Sequence, residues 1–251
     1  MTLNRLNEIT KNYFLKNLDC GRARIFLYEP HLPFNPLPKT HAKINPNYLA
    51  YPRLTRIAKE VSHALSDLSP VRFKGDLKKA FYDAGLGLRL NNNLLMIPPY
   101  GTRVSIEILD ILGNYEEKLI DLSQEKQYCK KCNLCKKNCP VGALDNGFNA
   151  IICLRAEMNN YKESTAPFEK LNGNILGCEA CQLHCPHNLH LKTEDIPKDL
   201  AEILYLPTLL NYCKNPENYP LVAEKLDFYI GKNMNNPEKI QFFVELAMKN
   251  A

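Results

Sequence analysis

No apolar run in the 251-residue chain approaches the roughly 20 residues that a membrane-spanning helix needs. The N-terminal stretch MTLNRLNEITKNYF mixes Asn, Arg, Glu and Lys through its apolar positions, so it lacks the apolar centre of a secretory leader. The expected location is cytoplasmic, with no membrane partner. The chain has no tryptophan, and any motif that requires one is incomplete here. It also has no long repeat and no low-complexity tail. No strong excess of one charge exists either: 32 Lys and Arg stand against 27 Asp and Glu, a formal net of +5. That balance alone is weak evidence for a nucleic-acid partner. Hydrophobic content of 45% and charged content of 24% are ordinary for a globular protein with a real core.

Cysteine is abundant, with ten residues. In a cytoplasmic chain this argues for metal or redox chemistry over a disulfide framework. Four cysteines form Cys129-Lys-Lys-Cys132-Asn-Leu-Cys135-Lys-Lys-Asn-Cys139-Pro140, a C-x2-C-x2-C-x3-C-P run. Cys153 follows alone, and then comes Cys178-Glu-Ala-Cys181-Gln-Leu-His-Cys185-Pro186. Three cysteines on one seven-residue loop can wrap three corners of an iron–sulfur cubane. In the bacterial two-cluster pattern the fourth cysteine ligates the neighbouring cluster. Applied here, that rule assigns Cys129, Cys132, Cys135 and Cys185 to cluster I. Cluster II then takes Cys139, Cys178, Cys181 and a displaced first ligand, for which Cys153 is the candidate and His184 or His187 the alternatives. Structural zinc prefers two ligand pairs across a longer span, often with histidine, so two 4Fe–4S clusters are the better reading. Cys20 and Cys213 read as small buried hydrophobes. Lys126, Lys130, Lys131, Lys136 and Lys137 crowd the first motif. They form either a solvated basic face or a docking surface for an acidic electron donor or a nucleic-acid backbone.

Around this segment the periodicity predicts a helix within 2–19 and a short strand at Arg24–Tyr28. The Pro-rich passage from Pro30 to Pro46 predicts an irregular loop, of the kind that often serves as a lid, holding His31 and His41. An amphipathic helix is predicted after Pro52, from Leu54 to Leu68. A helix over Leu77–Ala84 and strands over Leu94–Ile97 and Val104–Ile108 follow. Gly85-x-Gly87 is half of a dinucleotide fingerprint and reads more simply as a turn. The tail is helical, with a helix over Leu221–Ile230. Asn236-Pro237 is the start of another, Asn as cap and Pro at the first helical position. The fold class expected is α+β. It comprises an N-terminal mixed α/β domain (1–123), a two-cluster bacterial-ferredoxin-like domain (124–195) and a short C-terminal helical segment (196–251).

Two blocks resemble the cobalamin-dependent epoxyqueuosine reductases. One is the cluster segment, CKKCNLCKKNCPVGAL with Cys153 and LNGNILGCEACQLHCPHN. The other is DAGLGLRLNNNLLMIPPYGTRVSIEILDIL at 83–112, similar to that family's AGLGWIGKNTLLI segment. Together they span roughly 83–190, under half the chain. The resemblance implies an N-terminal α/β domain that holds cobalamin and two clusters that feed it electrons. It also implies removal of the epoxide oxygen of epoxyqueuosine in tRNA. Gly85, Gly87 and Gly101 would then allow close backbone approach to the corrinoid, with Asn92 and Arg103 as polar partners, although plain turn chemistry explains the glycines equally well. Two departures stand out. The family's Trp-Ile-Gly-Lys is Leu88-Arg89-Leu90-Asn91 here, and an ungapped comparison puts Val71 where the family carries its acidic proton donor. Asp67 or Asp76 could substitute only with a shift, and Asp76 is the candidate catalytic residue.

The function expected is therefore an iron–sulfur oxidoreductase passing electrons from two 4Fe–4S clusters to a cofactor, cobalamin by resemblance. The alternative is a non-enzymatic two-cluster electron carrier or adaptor, or a reductase for another corrinoid or flavin protein. Expected partners are an electron donor such as flavodoxin or ferredoxin, and tRNA or a corrinoid or flavin protein.

Overall fold

The computed structural model describes residues 2–118, 129 and 131–250. The expected boundary at 123, together with Lys126 and Lys130, lies outside them. The chain divides into two compact units, 1–31 with 53–132, and 32–52 with 133–251. None of the described helices is long and apolar enough to cross a membrane.

In chain order the elements of the first half are α1 (Thr2–Ile9), β1 (Tyr13–Leu18), β2 (Arg22–Pro30), β3 (Lys43–Ile44) and α2 (Asn47–Ala64). Then come β4 (Val71–Arg72), α3 (Leu77–Asp83), β5 (Leu88–Arg89), β6 (Leu95–Met96) and β7 (Val104–Leu112). The first unit is built on an antiparallel sheet of order β1-β2-β7-β4. Both faces of this sheet are covered. One carries Leu15, Ile25, Leu27, Leu109 and Ile111 against Leu54, Val61 and Leu65 of α2 and its end. The other packs Phe14, Phe26 and Ile108 against Phe81, Leu86, Leu95 and Ile97.

Double-sided burial explains one difference from expectation. Residues 13–18 are a strand and not the second half of a helix, because Tyr13, Phe14 and Leu15 are all buried on alternating faces. An unbroken apolar run is what a strand covered on both faces shows, and it mimics helical spacing. Pro52 likewise lies inside α2 and does not open it. The helix is launched upstream, where the Asn45 side chain accepts from the Asn47 N–H at 3.0 Å. Cys20 is exposed in the β1–β2 turn with φ of 71°, so it is no core residue, whereas Cys213 is buried.

The second unit contains α4 (Leu134–Lys137), α5 (Leu154–Glu157), β8 (Asn174–Leu176), α6 (Ala180–Leu183), α7 (Lys198–Ile203), α8 (Leu206–Lys214), α9 (Pro220–Ile230) and α10 (Pro237–Lys249). One core joins Leu154, Met158 and Phe168 to Leu200, Leu209, Phe243 and Val244. The helices expected as a separate tail thus share their hydrophobic centre with the cluster segment. Asn236 caps α10, its side chain accepting from the Lys239 N–H at 3.0 Å. The Pro-rich passage belongs here too, and it is no lid. Its backbone is pinned by Asn35 N–H to Glu194 O at 2.8 Å, Ala42 N–H to Leu204 O at 2.8 Å and Lys43 N–H to Gly173 O at 2.8 Å. β3 pairs in parallel with β8.

Candidate iron–sulfur centre and cofactor cradle

In the second unit the cysteines are presented by short helices with abrupt ends. Cys135 sits buried in α4, and Cys139 follows that helix just before Pro140. Cys153 occupies the position before α5, Cys181 lies in α6, and Cys185 precedes the turn at Pro186–Asn188. The helices α4 and α6 contact each other. Burial pushes the Cys181 thiol up to about 12, and the nearby Cys178, Cys153, Cys135 and Cys139 push in the same direction. Burial also raises Cys178, against the Ala180 N–H that donates to its sulfur. The raised Cys178 and Cys181 thiols stay protonated when empty and lose their protons to a metal, so binding and deprotonation are coupled. The Ala143 N–H donates to Cys139 Sγ at 3.2 Å, the type of bond that tunes a cluster. Cys129 and Cys132 fall in the first unit.

The approach to Cys178 is closely specified. Gly177 has φ of +78°, and a Cβ there would meet Tyr48 Cε2 at 2.5 Å and Asn45 Cβ at 3.1 Å. Its N–H donates to Met158 Sδ at 3.3 Å, and the buried Asn45 donates from Nδ2 to the Cys178 carbonyl at 3.3 Å. Sequence reasoning missed Asn45, Tyr48 and Met158, which are remote in sequence and carry no motif. The only signal was the glycine in the Gly-Cys-x2-Cys run.

In the first unit the 83–112 block forms the β5–β6 hairpin and its return to β7. Gly85 turns the chain with φ of +70°, and nothing lies near its missing side chain. At Gly87 a Cβ would strike Leu95 Cδ1 at 2.8 Å and Met96 O at 3.1 Å, so this glycine serves hairpin packing. Gly101, at φ of 58°, closes a turn by accepting from the Ile97 N–H at 2.9 Å. Asn92 is buried. Its Oδ1 accepts from the Leu94 N–H at 3.2 Å, while its Nδ2 has no hydrogen-bond partner among the described residues. The neighbouring Asn91 donates from Nδ2 to the Cys129 carbonyl at 3.1 Å. The candidate cradle is thus tied to the first cysteine of the first motif.

Arg103 is buried at 1% exposure, and its carbonyl accepts from the His31 N–H at 2.9 Å. His31, expected as an ordinary loop histidine, is buried as well. Burial, with Arg103 and Arg53 nearby, lowers its pKa to about 3, so the ring is neutral, and Nδ1 lacks a hydrogen-bond partner among the described residues. An imidazole that cannot take a proton when folded loses stability in acid, where the unfolded chain takes one. Between pH 7.5 and 5.5 the native protein should lose about 1.4 kcal/mol more than a His31→Gln variant. Urea unfolding at the two pH values measures the difference.

Asp76 is the N-cap of α3, accepting from the Lys79 N–H at 3.1 Å. It borders an open cavity of about 340 Å³ shared with Lys16, Arg24, Phe73 and Lys79. The Lys79 N–H, helped by that of Lys78 and by the charges of Lys78 and Arg89, lowers its pKa. A proton donor at neutral pH needs the opposite shift. Asp76→Asn should keep both the cap and any turnover. Asp76→Ala should cost about 1 kcal/mol of stability with turnover unchanged.

Residues 128–188 match the 4Fe–4S double cluster binding domain family. The segment is a two-cluster 4Fe–4S domain. Curated epoxyqueuosine reductases align with part of the chain. The Listeria monocytogenes protein is 35% identical over 115 residues, 42% of this chain and 27% of its own length. The Lactococcus garvieae protein is 30% identical over 135 residues, 50% of this chain and 37% of its own. The epoxyqueuosine reductase of Bacillus subtilis, solved with its catalytic aspartate loop swung out of the active site, superposes with a TM-score of 0.65 at 19% identity. It covers 91% of this chain and 64% of that one. Over these stretches the chain is similar to epoxyqueuosine reductases. An epoxyqueuosine reductase solved with an epoxyqueuosine-modified tRNA-Tyr stem loop superposes with a TM-score of 0.63 at 19% identity, again over 64% of its length. The chain therefore spans under two thirds of the epoxyqueuosine reductases it matches, and aligns in sequence with about a third of the curated ones.

Proposed function

We propose that the chain is an iron–sulfur reductase in which two 4Fe–4S clusters supply electrons to a corrinoid held by the first unit, acting on epoxyqueuosine in tRNA. Cluster I is assigned to Cys129, Cys132, Cys135 and Cys185, and cluster II to Cys139, Cys153, Cys178 and Cys181. The observation that carries the reading is the Asn91–Cys129 hydrogen bond. It ties the hairpin bearing Asn92 to Cys129, the first residue of the first cysteine motif, within the same unit.

The residues present fit a corrinoid. Such a ligand carries many amide carbonyls, and Asn92 Nδ2 is a buried donor without a partner among the described residues. Bound there, the corrinoid would supply a strongly reducing metal centre. Asn92 would bind and orient it through that amide, with Gly101 leaving its turn low enough for close approach. His31 stays neutral and so adds no positive charge beside Arg103.

A second reading, an electron carrier or adaptor without epoxide chemistry, is favoured by Val71. It stands where the family's acid is expected and lies 55% exposed on β4. The test is anaerobic purification with a count of iron, sulfide, cobalt and flavin, followed by turnover on an epoxyqueuosine-bearing tRNA stem loop. About eight iron per chain, a shift in the visible spectrum of added cobalamin, and turnover support the first reading. Clusters without a cobalamin shift or turnover support the second.

A further inference from the structure

We infer that the exposed loop 145–152 of the second unit, with the lysines beside it, is the docking surface for an acidic one-electron carrier protein. The inference rests on the proposed role of the clusters and adds the place where electrons enter.

Every residue from Asp145 to Ile152 is exposed. Among them Ile151 is 79% exposed, with Phe148 at 43% and Ile152 at 41%. Three large apolar side chains on one short surface loop are costly to leave in water and are typical of an interaction site. The loop is not loose. Asn149 N–H donates to Ala143 O at 2.8 Å, Ile151 N–H to Asn149 Oδ1 at 3.0 Å, and Cys153 N–H to Ala150 O at 3.3 Å. It ends directly on Cys153, a proposed cluster II ligand, so a carrier seated on Ile151 and Ile152 lies a few bonds from that cluster.

Charge selects the occupant. Within the second unit, residues 133–156 hold Lys136, Lys137 and Arg155 against Asp145 alone. Lys136 Nζ donates to the Asp145 carbonyl at 3.1 Å, which places the lysine-bearing helix α4 against the loop. An apolar centre with a basic rim fits an acidic protein. A nucleic-acid backbone would use the lysines and leave Ile151 and Ile152 in water. One electron leaves the carrier and enters the cluster, with no bond made or broken.

The probe is flavodoxin, oxidised for binding and hydroquinone for electron transfer. The variants are Ile151→Asp and Lys137→Glu, each with its iron content measured. Both should weaken flavodoxin binding at least tenfold and slow cluster reduction by flavodoxin to match, with binding falling as salt rises. Reduction by dithionite should be unchanged. Unchanged flavodoxin binding in both variants overturns the proposal. So does a loss of tRNA stem-loop affinity, or of self-association, in place of flavodoxin affinity. Wild-type protein without dithionite-reducible clusters would instead defeat the underlying electron-transfer reading.

Discussion

Replacing Cys139 by serine should remove the same cluster as replacing Cys181, although Cys139 belongs to the first motif. Iron should fall from about eight to about four per chain in both variants. Cys132→Ser should lose the other four. The reason is the crossover of the two-cluster pattern, in which the fourth cysteine of a motif serves the neighbouring cluster. Cys139 lies beyond the end of α4, which carries Cys135. A serine hydroxyl is a poor iron ligand. The residual cluster in each variant can be identified by its electron paramagnetic resonance spectrum after reduction. Identical residual spectra for Cys139→Ser and Cys181→Ser, distinct from that of Cys132→Ser, establish crossed ligation. Matching spectra for Cys139→Ser and Cys132→Ser would refute it. Cys213→Ser is the control. Burial holds that thiol up at about 12 too, but it packs in α8 among apolar side chains, and its loss should leave all eight irons.

The second large effect lies far from any cysteine. Phe243→Ala should destabilise the second unit by about 3–5 kcal/mol and lower its melting temperature by about 10 °C. Phe243 is 1% exposed and meets Phe168 edge to face at 5.2 Å between ring centroids, with Phe242 at 5.0 Å. The helix that carries it, α10, packs on α8 and on β8. Through Gly177, β8 runs straight into Cys178, so a cavity beneath it loosens the ligand loop. Cluster II should therefore be lost faster than cluster I when the variant is warmed, as followed by the decay of visible absorbance. Leu221→Ala, at a site 72% exposed on α9, should change stability by less than about 0.5 kcal/mol.

What could be read without coordinates was whatever is local. The cysteine spacing, the Asn236 cap and the helix over Leu221–Ile230 depend on neighbours a few residues away, and their chemistry is written in short patterns. The misreadings share a physical cause. Tyr13–Leu18 took its strand from β2, and only that pairing separates it from a helix of similar spacing. The Pro-rich passage looked like a lid because its hydrogen-bond partners, Gly173, Glu194 and Leu204, lie more than a hundred residues on. His31 looked ordinary because nothing in its neighbours announces burial beside Arg103. Within the candidate site the cysteines were legible, whereas Asn45, Tyr48 and Met158, which hold Cys178 in position, were not.

The insertion of residues 32–52 into the second unit bears on how the chain is made. As the polypeptide leaves the ribosome, this passage emerges before most of the first unit, yet its partners at 173–176 and 194–206 are made only after that unit is complete. The passage 32–52 thus waits for a body that does not yet exist, and Gly177 can meet Asn45 and Tyr48 only once residues beyond 170 are made. For the same reason no single cut yields an intact half: a break near 132 leaves the second body without β3 and the start of α2, and only a graft of 32–52 would restore it.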